Sequence, residues 1–579
     1  MKIQLKNKSN FKKEKYVLNL LLERGVPVEN LPKLMTANFD NVNDFKLLDN
    51  IDVGVALLKQ QMREWKKIAL ITDCDVDGLT SAALFYAYMA KAYPTQEIEY
   101  FMHEQKQHGL SDMIDTLEKR ANEFSLVVCP DSSSNDYEYH ERLGAVGVPV
   151  LCLDHHDVEE KKFSHNAVII NNQLSPSYPD KELTGVGVTW QFCRALDAAN
   201  KTDYANEFLD LVAVGLIGDM APILEPEVFT LVQYGLHNVK NKLLKATLEK
   251  QSYSMGGEVT PVGIAFYVCP LYNAMIRIGE MDQKRRLFEA FLDGDKMVPS
   301  HKRGAKGTMD FIKNEAIREC VNAKSKQNKL KEKFSEQLSD KLKAMASDNK
   351  ILFTVLPKDA DLPQTMTGLL AMQIAAKYQR PTLVGRCYND EIKGSIRGLN
   401  QSALTDMKTF LQKSDCFEYV QGHPQAAGFS IPKDNVDKVL EYANEKLKDV
   451  DFGETYYDVD FDREARASDL KDIIADIDNY KYLWGQHNSE PLIHVTDINL
   501  KRNDIAVIGK NADTIRIEKF GVTYLKFHAK EMIEQLAAVP YEEIKLEVVG
   551  RANLNSFAGR ITPQIFITDF QIDNGFLSF

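Results

Sequence analysis

Acidic and histidine residues follow several apolar segments of this chain at the point where each segment ends. They are Asp73-Cys74-Asp75-Val76-Asp77-Gly78 after the run 67–72, Asp131 after 125–129, Asp154-His155-His156 after 148–153, and Asp219 after an apolar helix near 208–218. Four or more carboxylates can share a cleft as anions only if a cation neutralises them, because like charges at short range shift each other's pKa. The residue types therefore predict a metal site.

Carboxylates combined with one or two imidazoles suit Mn²⁺ or Mg²⁺ better than a soft metal. Two such ions roughly 3.5–4 Å apart support hydrolysis of phosphoesters. A bridging carboxylate such as Asp131 or Asp219 fits that arrangement. The adjacent histidines should differ in role, with His155 a metal ligand and His156 a donor toward the scissile phosphate.

The strands and helices predicted around these residues form an α/β pattern. The runs 67–72, 125–129 and 148–153 are continuously apolar and alternate with helical segments, which is typical of buried parallel strands. In a doubly wound parallel sheet the ligand crevice lies beyond the carboxyl ends of the strands. We therefore expect the acidic residues to converge there.

Composition indicates a soluble, multidomain, cytoplasmic protein. The chain has 579 residues, of which 44% are hydrophobic and 27% charged, and by our reading no apolar run reaches the ~18 residues of a membrane span. Its eight cysteines are scattered without a Cys-x-x-Cys pair, which favours core thiols in a reducing compartment. The net charge of −12 weighs against a nucleic-acid binder, but it does not exclude a local basic groove.

Five segments are predicted along the chain. They are a helical N-terminal lead-in (1–65), a catalytic domain (66–300), a lysine-rich connecting helix (301–347), a smaller α/β substrate domain (348–450) and a C-terminal β-barrel of the OB-fold type (452–579). The connecting helix has two interpretations, a solvated inter-domain helix and a basic wall of a nucleic-acid channel, and both can hold.

The order Asp-x-Asp-x-Asp-Gly, strand-end Asp, Asp-His-His and helix-end Asp is similar to that of the DHH phosphoesterase superfamily. This resemblance implies a metal-ligand set of Asp73, Asp75, Asp77, Asp131, His155 and Asp219. His156 matches the histidine of the third motif. We expect direct catalytic roles for Asp75, Asp131 and His156.

The second half of the chain extends the resemblance. The segment 421–428 looks like the Gly-Gly-His-x-x-Ala-Ala-Gly signature of the DHH-associated domain, and 394–398 resembles its Gly-Ser-x-Arg-Ser element. Gln421 and Gly398 depart from these patterns. The resemblance implies a phosphate-binding set of Ser395, Arg397, Gly422, His423 and Gly428, although Arg397 could instead form a strand-edge salt bridge.

Two further segments match RecJ-like exonucleases with departures. The segment 270–277 resembles Pro-Arg-Ile-Asn-Ala-Ala-Gly-Arg, and 103–110 takes the place of a loop ending in Gly-Tyr-Gly-Leu, of which only Gly109 and Leu110 remain. Asn273, Arg277, His103 and, less strongly, His108 are therefore candidates for recognising a 5′ phosphate.

The C-terminal segments 484–491 and 560–564 look like the OB-fold domain of bacterial RecJ-like enzymes. Such a domain binds single strands with aromatic side chains and a basic groove. The candidates are Trp484, Lys526, Phe527, Phe557 and Arg560, and about half of such aromatic residues should be core residues instead.

The resemblance implies a Mn²⁺- or Mg²⁺-dependent exonuclease that degrades single-stranded DNA from 5′ to 3′ in recombination, repair or replication, releasing 5′-mononucleotides. We expect a monomer without a membrane partner, with a single-strand-binding protein or a helicase as candidate partners. One alternative is a nanoRNA, pAp or cyclic-dinucleotide phosphodiesterase, but such enzymes generally lack an OB-fold. The other is a non-catalytic replication or repair scaffold, which the complete set of acidic motifs disfavours.

Overall fold

A computed structural model describes residues 2–5, 15–104, 107–158, 162–305, 307–399, 404–452, 456–540, 542–557 and 559–573. The chain divides into two compact units. Unit I comprises residues 32–330 and 482–488, and unit II comprises 1–31, 331–481 and 489–579. The large apolar core of unit I involves residues between 48 and 323, and the α/β core of unit II residues between 351 and 452.

Unit I is built on a five-stranded parallel sheet. Its strands are β1 (Lys67–Thr72), β2 (Ile98–Met102), β3 (Phe124–Pro130), β4 (Val150–Asp154) and β5 (Ala167–Asn171). The order is β2-β1-β3-β4-β5, and every neighbouring pair is parallel. The direction of winding changes between β1 and β3, and such a switch point opens a crevice at the carboxyl ends of the strands. The α/β class with a doubly wound sheet is as predicted.

Four helices of unit I carry residues of the site. They are α1 (Val76–Ala92), α2 (Gly185–Asn200), α3 (Leu209–Gly218) and α4 (Cys269–Ile278). The other elements are the helices Ile51–Gln61, Ile114–Lys119, Tyr137–Ala145, Pro226–His237, Lys242–Gln251 and Met281–Leu292, the helical turns Pro261–Gly263 and Ile264–Val268, and the strand pair Met297–Pro299 and Met309–Phe311.

Helix α1 begins earlier than its apolar pattern indicates. The apolar run starts at Leu79, but the helix starts at Val76 because the Asp75 side chain accepts a hydrogen bond from the Gly78 amide at 3.0 Å. This is an N-cap, which satisfies one of the unpaired amides of the first turn. The first motif is thus the capped start of a helix.

One helical stretch of unit I, Pro261–Ile278, is long and apolar enough to cross a membrane. Its 18 residues have a mean hydropathy of 1.2, and 56% of them are buried. The sequence prediction that no run reaches this length is therefore wrong by this criterion. A mostly buried core helix passes the same test, so the stretch is weak evidence for a membrane span.

Three further helices lie at the boundaries of the units or directly before the α/β part of unit II. They are Leu31–Met35 and Ile312–Gln337, each of which crosses a boundary between the units, and Ser339–Asp348. The segment predicted as one connecting helix (301–347) therefore contains two helices, and its first residues belong to the strand pair of unit I.

The α/β part of unit II is a mixed five-stranded sheet. In spatial order the strands are Tyr419–His423, Ala426–Pro432, Glu391–Arg397, Thr382–Tyr388 and Leu352–Leu356. The helices are Thr367–Tyr378, Met407–Gln412 and Val436–Lys446.

The remainder of unit II contains a seven-stranded mixed sheet. In spatial order its strands are Phe461–Glu464, Leu492–Lys501, Glu543–Phe557, Arg560–Asp573, Val522–Lys526, Thr514–Lys519 and Ile505–Ile508. The helices Tyr16–Glu23, Leu470–Asn479 and Lys530–Ala538 complete it. This sheet is compatible with the predicted OB-fold, and its closure into a barrel stays a prediction.

The predicted helical lead-in (1–65) contains the helices Tyr16–Glu23, Leu31–Met35 and Ile51–Gln61, but its first described residues differ from the prediction. Lys2–Leu5 is a strand that pairs in parallel with Tyr456–Val459, more than 450 residues later in the chain. A strand of this length has no clear signal in the sequence, because its partner is remote.

Candidate metal centre

The predicted ligands meet at the carboxyl edge of the unit I sheet. They form three overlapping donor sets, which are Asp73–Asp75–Asp131, Asp77–His155–Asp219 and Asp131–His155–His156. Within each set the ligand atoms lie within 4.8 Å of one another. The first two sets adjoin because Asp131 Oδ1 lies 3.2 Å from His155 Nε2. The geometry therefore offers two neighbouring positions for a cation.

Asp131 lies where the two positions adjoin. It follows β3 with a left-handed backbone (φ +62°), and its amide donates to the Leu153 carbonyl at 2.8 Å. Its Oδ1 is buried and accepts no hydrogen bond from the residues that the structure describes. A buried oxygen without a donor is costly unless a cation satisfies it. Asp131 thus suits the bridging role predicted for it.

Asp77 is held by the N-terminus of α2. Its Oδ2 accepts from the Gly185 amide at 2.8 Å and its Oδ1 from the Val186 amide at 3.1 Å. The N-terminus of a helix stabilises negative charge through its free amides and its dipole. This arrangement fixes the carboxylate in the set with His155 and Asp219.

The two adjacent histidines have different environments. Burial alone would lower the pKa of His156. The hydrogen bond that His156 Nδ1 donates to Asp154 Oδ1, at 2.7 Å, outweighs burial and raises the pKa of His156 to about 9. Burial, reinforced by the charge of His156, lowers the pKa of His155 to about 4. His155 is therefore neutral, as a metal ligand must be, and His156 is a cationic donor.

Asp154 is the residue that fixes this difference. Besides His156 Nδ1, its Oδ1 accepts from the amides of His155 and His156 at 2.7 and 3.2 Å, and its Oδ2 from the Ser134 amide at 2.9 Å. Burial raises the pKa of Asp154, but these hydrogen bonds and the histidine charges hold it well below its usual value. Asp154 is not among the residues predicted from the sequence to act in the site, although its place at the end of β4 is a signal.

The remaining carboxyls repel one another. Burial, followed by the charges of the neighbouring aspartates, raises the pKa of Asp77 to about 7 and that of Asp219 to about 8. Burial and Asp77 raise the pKa of Asp131 well above its usual value. Divalent cations would relieve this repulsion, and carboxylates with an imidazole are the donor set that Mn²⁺ and Mg²⁺ take. The residues present therefore fit a pair of such ions.

The predicted phosphate-binding residues of unit II also come together. Ser395 is paired with Gly428 and Arg397 with Ala426 on neighbouring strands, so the two motifs lie side by side. Ser395 Oγ is 2.9 Å from Thr367 Oγ1, and a Cβ on Gly368 would lie 2.6 Å from Arg397 Nη2.

Ser395 and Arg397 thus face the N-terminus of the helix Thr367–Tyr378, which is a favourable place for an anion. Two strands away, on Tyr419–His423, Gly422 has a φ of +128° and His423 is exposed.

Comparison with known proteins agrees with this arrangement. Residues 67–216 match the model of the DHH family N-terminal domain, and 348–449 match that of the DHHA1 domain. The chain is 33% identical over 561 residues to a protein of Bacillus subtilis named as the SPbeta prophage-derived single-strand DNA-specific exonuclease YorK, covering 96% of this chain and 95% of that protein. The chain belongs to the RecJ-like branch of the DHH family.

Two further relatives support this membership. The single-stranded-DNA-specific exonuclease RecJ of Bacillus subtilis is 24% identical over 569 residues, which cover 96% of this chain and 67% of that protein. The crystal structure of RecJ in complex with Mn²⁺ from Thermus thermophilus has the same fold, with a TM-score of 0.70 at 18% identity, covering 98% of this chain and 79% of that one.

Two predicted DNA contacts of this RecJ-like protein are contradicted by burial. The His103 side chain is fully buried, with Nδ1 2.6 Å from Asp112 Oδ1, so it cannot reach a substrate phosphate. Trp484 is only 2% exposed and cannot stack on a base. In both cases the sequence showed the residue type but not the surrounding packing.

The other C-terminal candidates have mixed placements. Lys526 Nζ donates to the Thr568 carbonyl at 2.6 Å, which engages it within the sheet. Phe527 is 56% exposed and stacks on Phe566 with ring centroids 5.8 Å apart, and Arg560 is exposed. The side chain of Phe557 lies outside the described residues. Phe527 and Arg560 are therefore exposed and accessible to single-stranded DNA.

Asn273 and Arg277 lie on α4 and are partly exposed. Burial lowers the pKa of Arg277, and the charge of Asp75 opposes that shift, which places the guanidinium in the electrostatic range of the metal centre. Their predicted role toward a 5′ phosphate stays a prediction.

His108 enters the site although it was only a weak candidate in the sequence analysis. Its Nδ1 lies 2.6 Å from Asp73 Oδ2, and its ring lies 6.4 Å from that of His156. Asp73, Cys74 and His108 form a further set of potential ligands. The signal that could have found it is the histidine in place of the tyrosine of Gly-Tyr-Gly-Leu.

Proposed function

We propose that this protein is a Mn²⁺- or Mg²⁺-dependent exonuclease that hydrolyses single-stranded DNA, 5′ to 3′, to 5′-mononucleotides. The observation that carries the proposal is the pair of donor sets, Asp73–Asp75–Asp131 and Asp77–His155–Asp219, which adjoin at Asp131. Membership of the RecJ-like family supports the substrate, since the relatives are named as single-strand DNA-specific exonucleases.

The residues around the two positions have separate tasks. When bound, two divalent ions supply Lewis-acid stabilisation of phosphoryl charge and a water of lowered pKa. Asp131, Asp77 and Asp219 would hold those ions and balance their charge. His156, with its pKa near 9, is protonated at neutral pH and donates a hydrogen bond to a phosphate oxygen, and Asp154 keeps it cationic and oriented.

Unit II supplies a second phosphate contact in this proposal. Ser395, Arg397 and the N-terminus of the helix Thr367–Tyr378 together bind a terminal phosphate of the strand. Gly422 and Gly428 let the backbone approach the nucleotide. A terminal phosphate contact favours an exonuclease over an enzyme that cuts within a strand.

The protein acts, in this proposal, as a cytoplasmic monomer in DNA recombination, repair or replication. A single-strand-binding protein or a helicase would expose or present its substrate. These two partners are proposed because the substrate of the enzyme is unpaired DNA.

The test uses three substrates, each with Mn²⁺, Mg²⁺ or EDTA. They are single-stranded DNA labelled at the 5′ or the 3′ end, the same sequence as blunt duplex, and dinucleotides. We expect labelled 5′-mononucleotide as the first product of the 5′-labelled strand, little cleavage of duplex, and no reaction in EDTA. The 3′-labelled strand should shorten progressively.

Two outcomes would reject the proposal. If the protein cleaved dinucleotides rapidly but left long single-stranded DNA intact, a nanoRNA or cyclic-dinucleotide phosphodiesterase would be favoured. Absence of hydrolysis for every substrate, in a protein that still binds Mn²⁺, would favour a scaffold. The variant Asp131→Asn is the control for contaminating nucleases, because it removes the shared ligand.

A further inference from the structure

His108 stands beside a predicted metal ligand in a way that the family resemblance does not provide. We propose that His108 is a positioning residue, which holds Asp73 so that one of its oxygens faces the first metal position. The proposal rests on the metal site of the proposed function. It does not depend on the identity of the substrate.

The hydrogen bond divides the two oxygens of Asp73. His108 Nδ1 lies 2.6 Å from Oδ2, while Oδ1 is buried and has no hydrogen-bond partner among the described residues. Asp73 belongs to the donor set with Asp75 and Asp131. A carboxylate whose one oxygen is fixed by a donor presents the other in a defined direction, which is how outer partners orient metal ligands.

The loop that carries His108 is held against Asp136 by the next two residues, Gly109 and Leu110. Gly109 has a φ of +67°, and a Cβ there would lie 2.2 Å from Asp136 Oδ2, so a larger residue would not fit. The amide of Leu110 donates to the same oxygen at 2.9 Å, and the Leu110 side chain is buried. Because Asp136 lies in the same loop as Asp131, between β3 and the helix Tyr137–Ala145, the His108 loop is tied to the site itself.

The position of the ring argues against a direct phosphate contact through Nδ1, which Asp73 occupies. Nε2 lies 3.9 Å from Cys74 Sγ, and the side chain is 49% exposed. In RecJ-like sequences the loop ends in Gly-Tyr-Gly-Leu, so the imidazole replaces a tyrosine. His108 therefore gives this chain a support for Asp73 that the family pattern does not predict.

The test compares His108→Asn with His108→Gln. The amide nitrogen of asparagine can take the place of Nδ1, whereas that of glutamine reaches toward the place of Nε2. We expect His108→Gln to weaken Mn²⁺ binding at one of two positions by about 10- to 100-fold, the range found for outer-shell partners. His108→Asn should stay within a few-fold of the wild type.

The measurement is calorimetric titration of the full-length, metal-stripped protein with Mn²⁺, supported by the electron paramagnetic resonance signal of free Mn²⁺. His165→Asn, at an exposed histidine of unit I, is the matched control and should bind like the wild type. Circular dichroism and Tm check that each variant is folded. Because His108 is half exposed, its polar variants should fold.

Kinetics give a second readout. If His108 only positions a ligand, His108→Gln should need more Mn²⁺ for half-maximal rate but recover most of kcat at saturation. The proposal would be overturned if both variants kept the Mn²⁺ affinity of the wild type. It would also be overturned if His108→Asn lost Mn²⁺ affinity while His108→Gln retained it. If the variants showed the expected difference in Mn²⁺ affinity but the wild type did not hydrolyse DNA, only the proposed function would be rejected.

Discussion

At the scale of single residues, the site works by giving chemically similar groups different environments. His155 and His156 are neighbours in sequence, yet their pKa values are shifted in opposite directions, to about 4 and about 9. The difference arises because Asp154 accepts from His156 Nδ1, whereas His155 Nε2 faces Asp131 and Asp219. This difference in environment supports the proposed roles, in which His155 binds the metal and His156 contacts the phosphate.

The two histidines should respond differently to substitution. His156→Asn is expected to lower kcat by about 10²- to 10³-fold, the range for one lost hydrogen-bond donor to the transition state, with Mn²⁺ affinity nearly unchanged. His155→Asn should instead weaken Mn²⁺ binding. Calorimetry and steady-state kinetics on both variants check this, and equal losses of Mn²⁺ affinity would contradict it.

The raised pKa of His156 also predicts a pH dependence. The group is protonated below about 9 and loses its proton as the pH rises through that value. The rate with saturating Mn²⁺ should therefore fall above pH 9 in the wild type. His156→Asn should lack this fall, and a profile identical to the wild type would speak against the role.

At the scale of elements, close packing of helices against strand ends holds the carboxylates in place. Helix α2 begins at Gly185, whose amide donates to Asp77 Oδ2 at 2.8 Å. A Cβ on Gly185 would lie 2.3 Å from Asp131 Oδ1. The start of one helix therefore touches both predicted metal positions.

Gly185→Ala should displace Asp131 and weaken Mn²⁺ binding at both positions. Alanine is the better helix former by about 1 kcal/mol, so the loss would come from the steric contact and not from the helix. Calorimetry and Tm separate the two effects. Ala198→Ser, at the exposed end of the same helix, is the control and should bind Mn²⁺ normally.

The second set of contacts depends on a strand and a helix of unit II. Arg397→Ala should raise the KM for 5′-phosphorylated single strands by about 10-fold or more, the value of a charge-assisted hydrogen bond, and leave Mn²⁺ binding unchanged. A substrate with a 5′ hydroxyl should be little affected. Lys413→Ala, an exposed cation of the same unit, is the control.

At the scale of the whole molecule, the metal centre affects stability. Burial and mutual repulsion raise the pKa of Asp77 to about 7 and that of Asp219 to about 8, above the ~3.9 of an unfolded chain. At these two carboxyls the folded protein without metal thus holds more protons than the unfolded chain between pH 4 and 8. Their contribution to the free energy of unfolding falls as the pH rises through this window.

In EDTA we expect Tm to decrease between pH 5 and pH 8. Mn²⁺ should restore it by mass action, and by more at pH 8, because protons compete with the ion at low pH. Differential scanning fluorimetry measures both effects. Asp219→Asn should reduce the pH dependence in EDTA, and a Tm that rises with pH in EDTA would contradict the assignment.

The chemistry of the site and the class of fold follow from residue types and their spacing. Acidic residues at the ends of apolar runs are enough to predict a metal centre, because parallel strands share one carboxyl edge. Residues 394–397 and 426–428 of the two matched motifs likewise lie on neighbouring strands. Local spacing carries this information because it fixes where each strand ends.

Tertiary packing, in contrast, determines which side chains reach the site. It buried His103 and Trp484, brought His108 to Asp73, and gave Asp154 the task of orienting His156. Each outcome depends on neighbours that are distant in sequence, on backbone angles such as the left-handed Asp131, and on helix starts such as Gly185. Residue type and spacing do not encode these contacts, since burial and side-chain direction are set by packing in three dimensions.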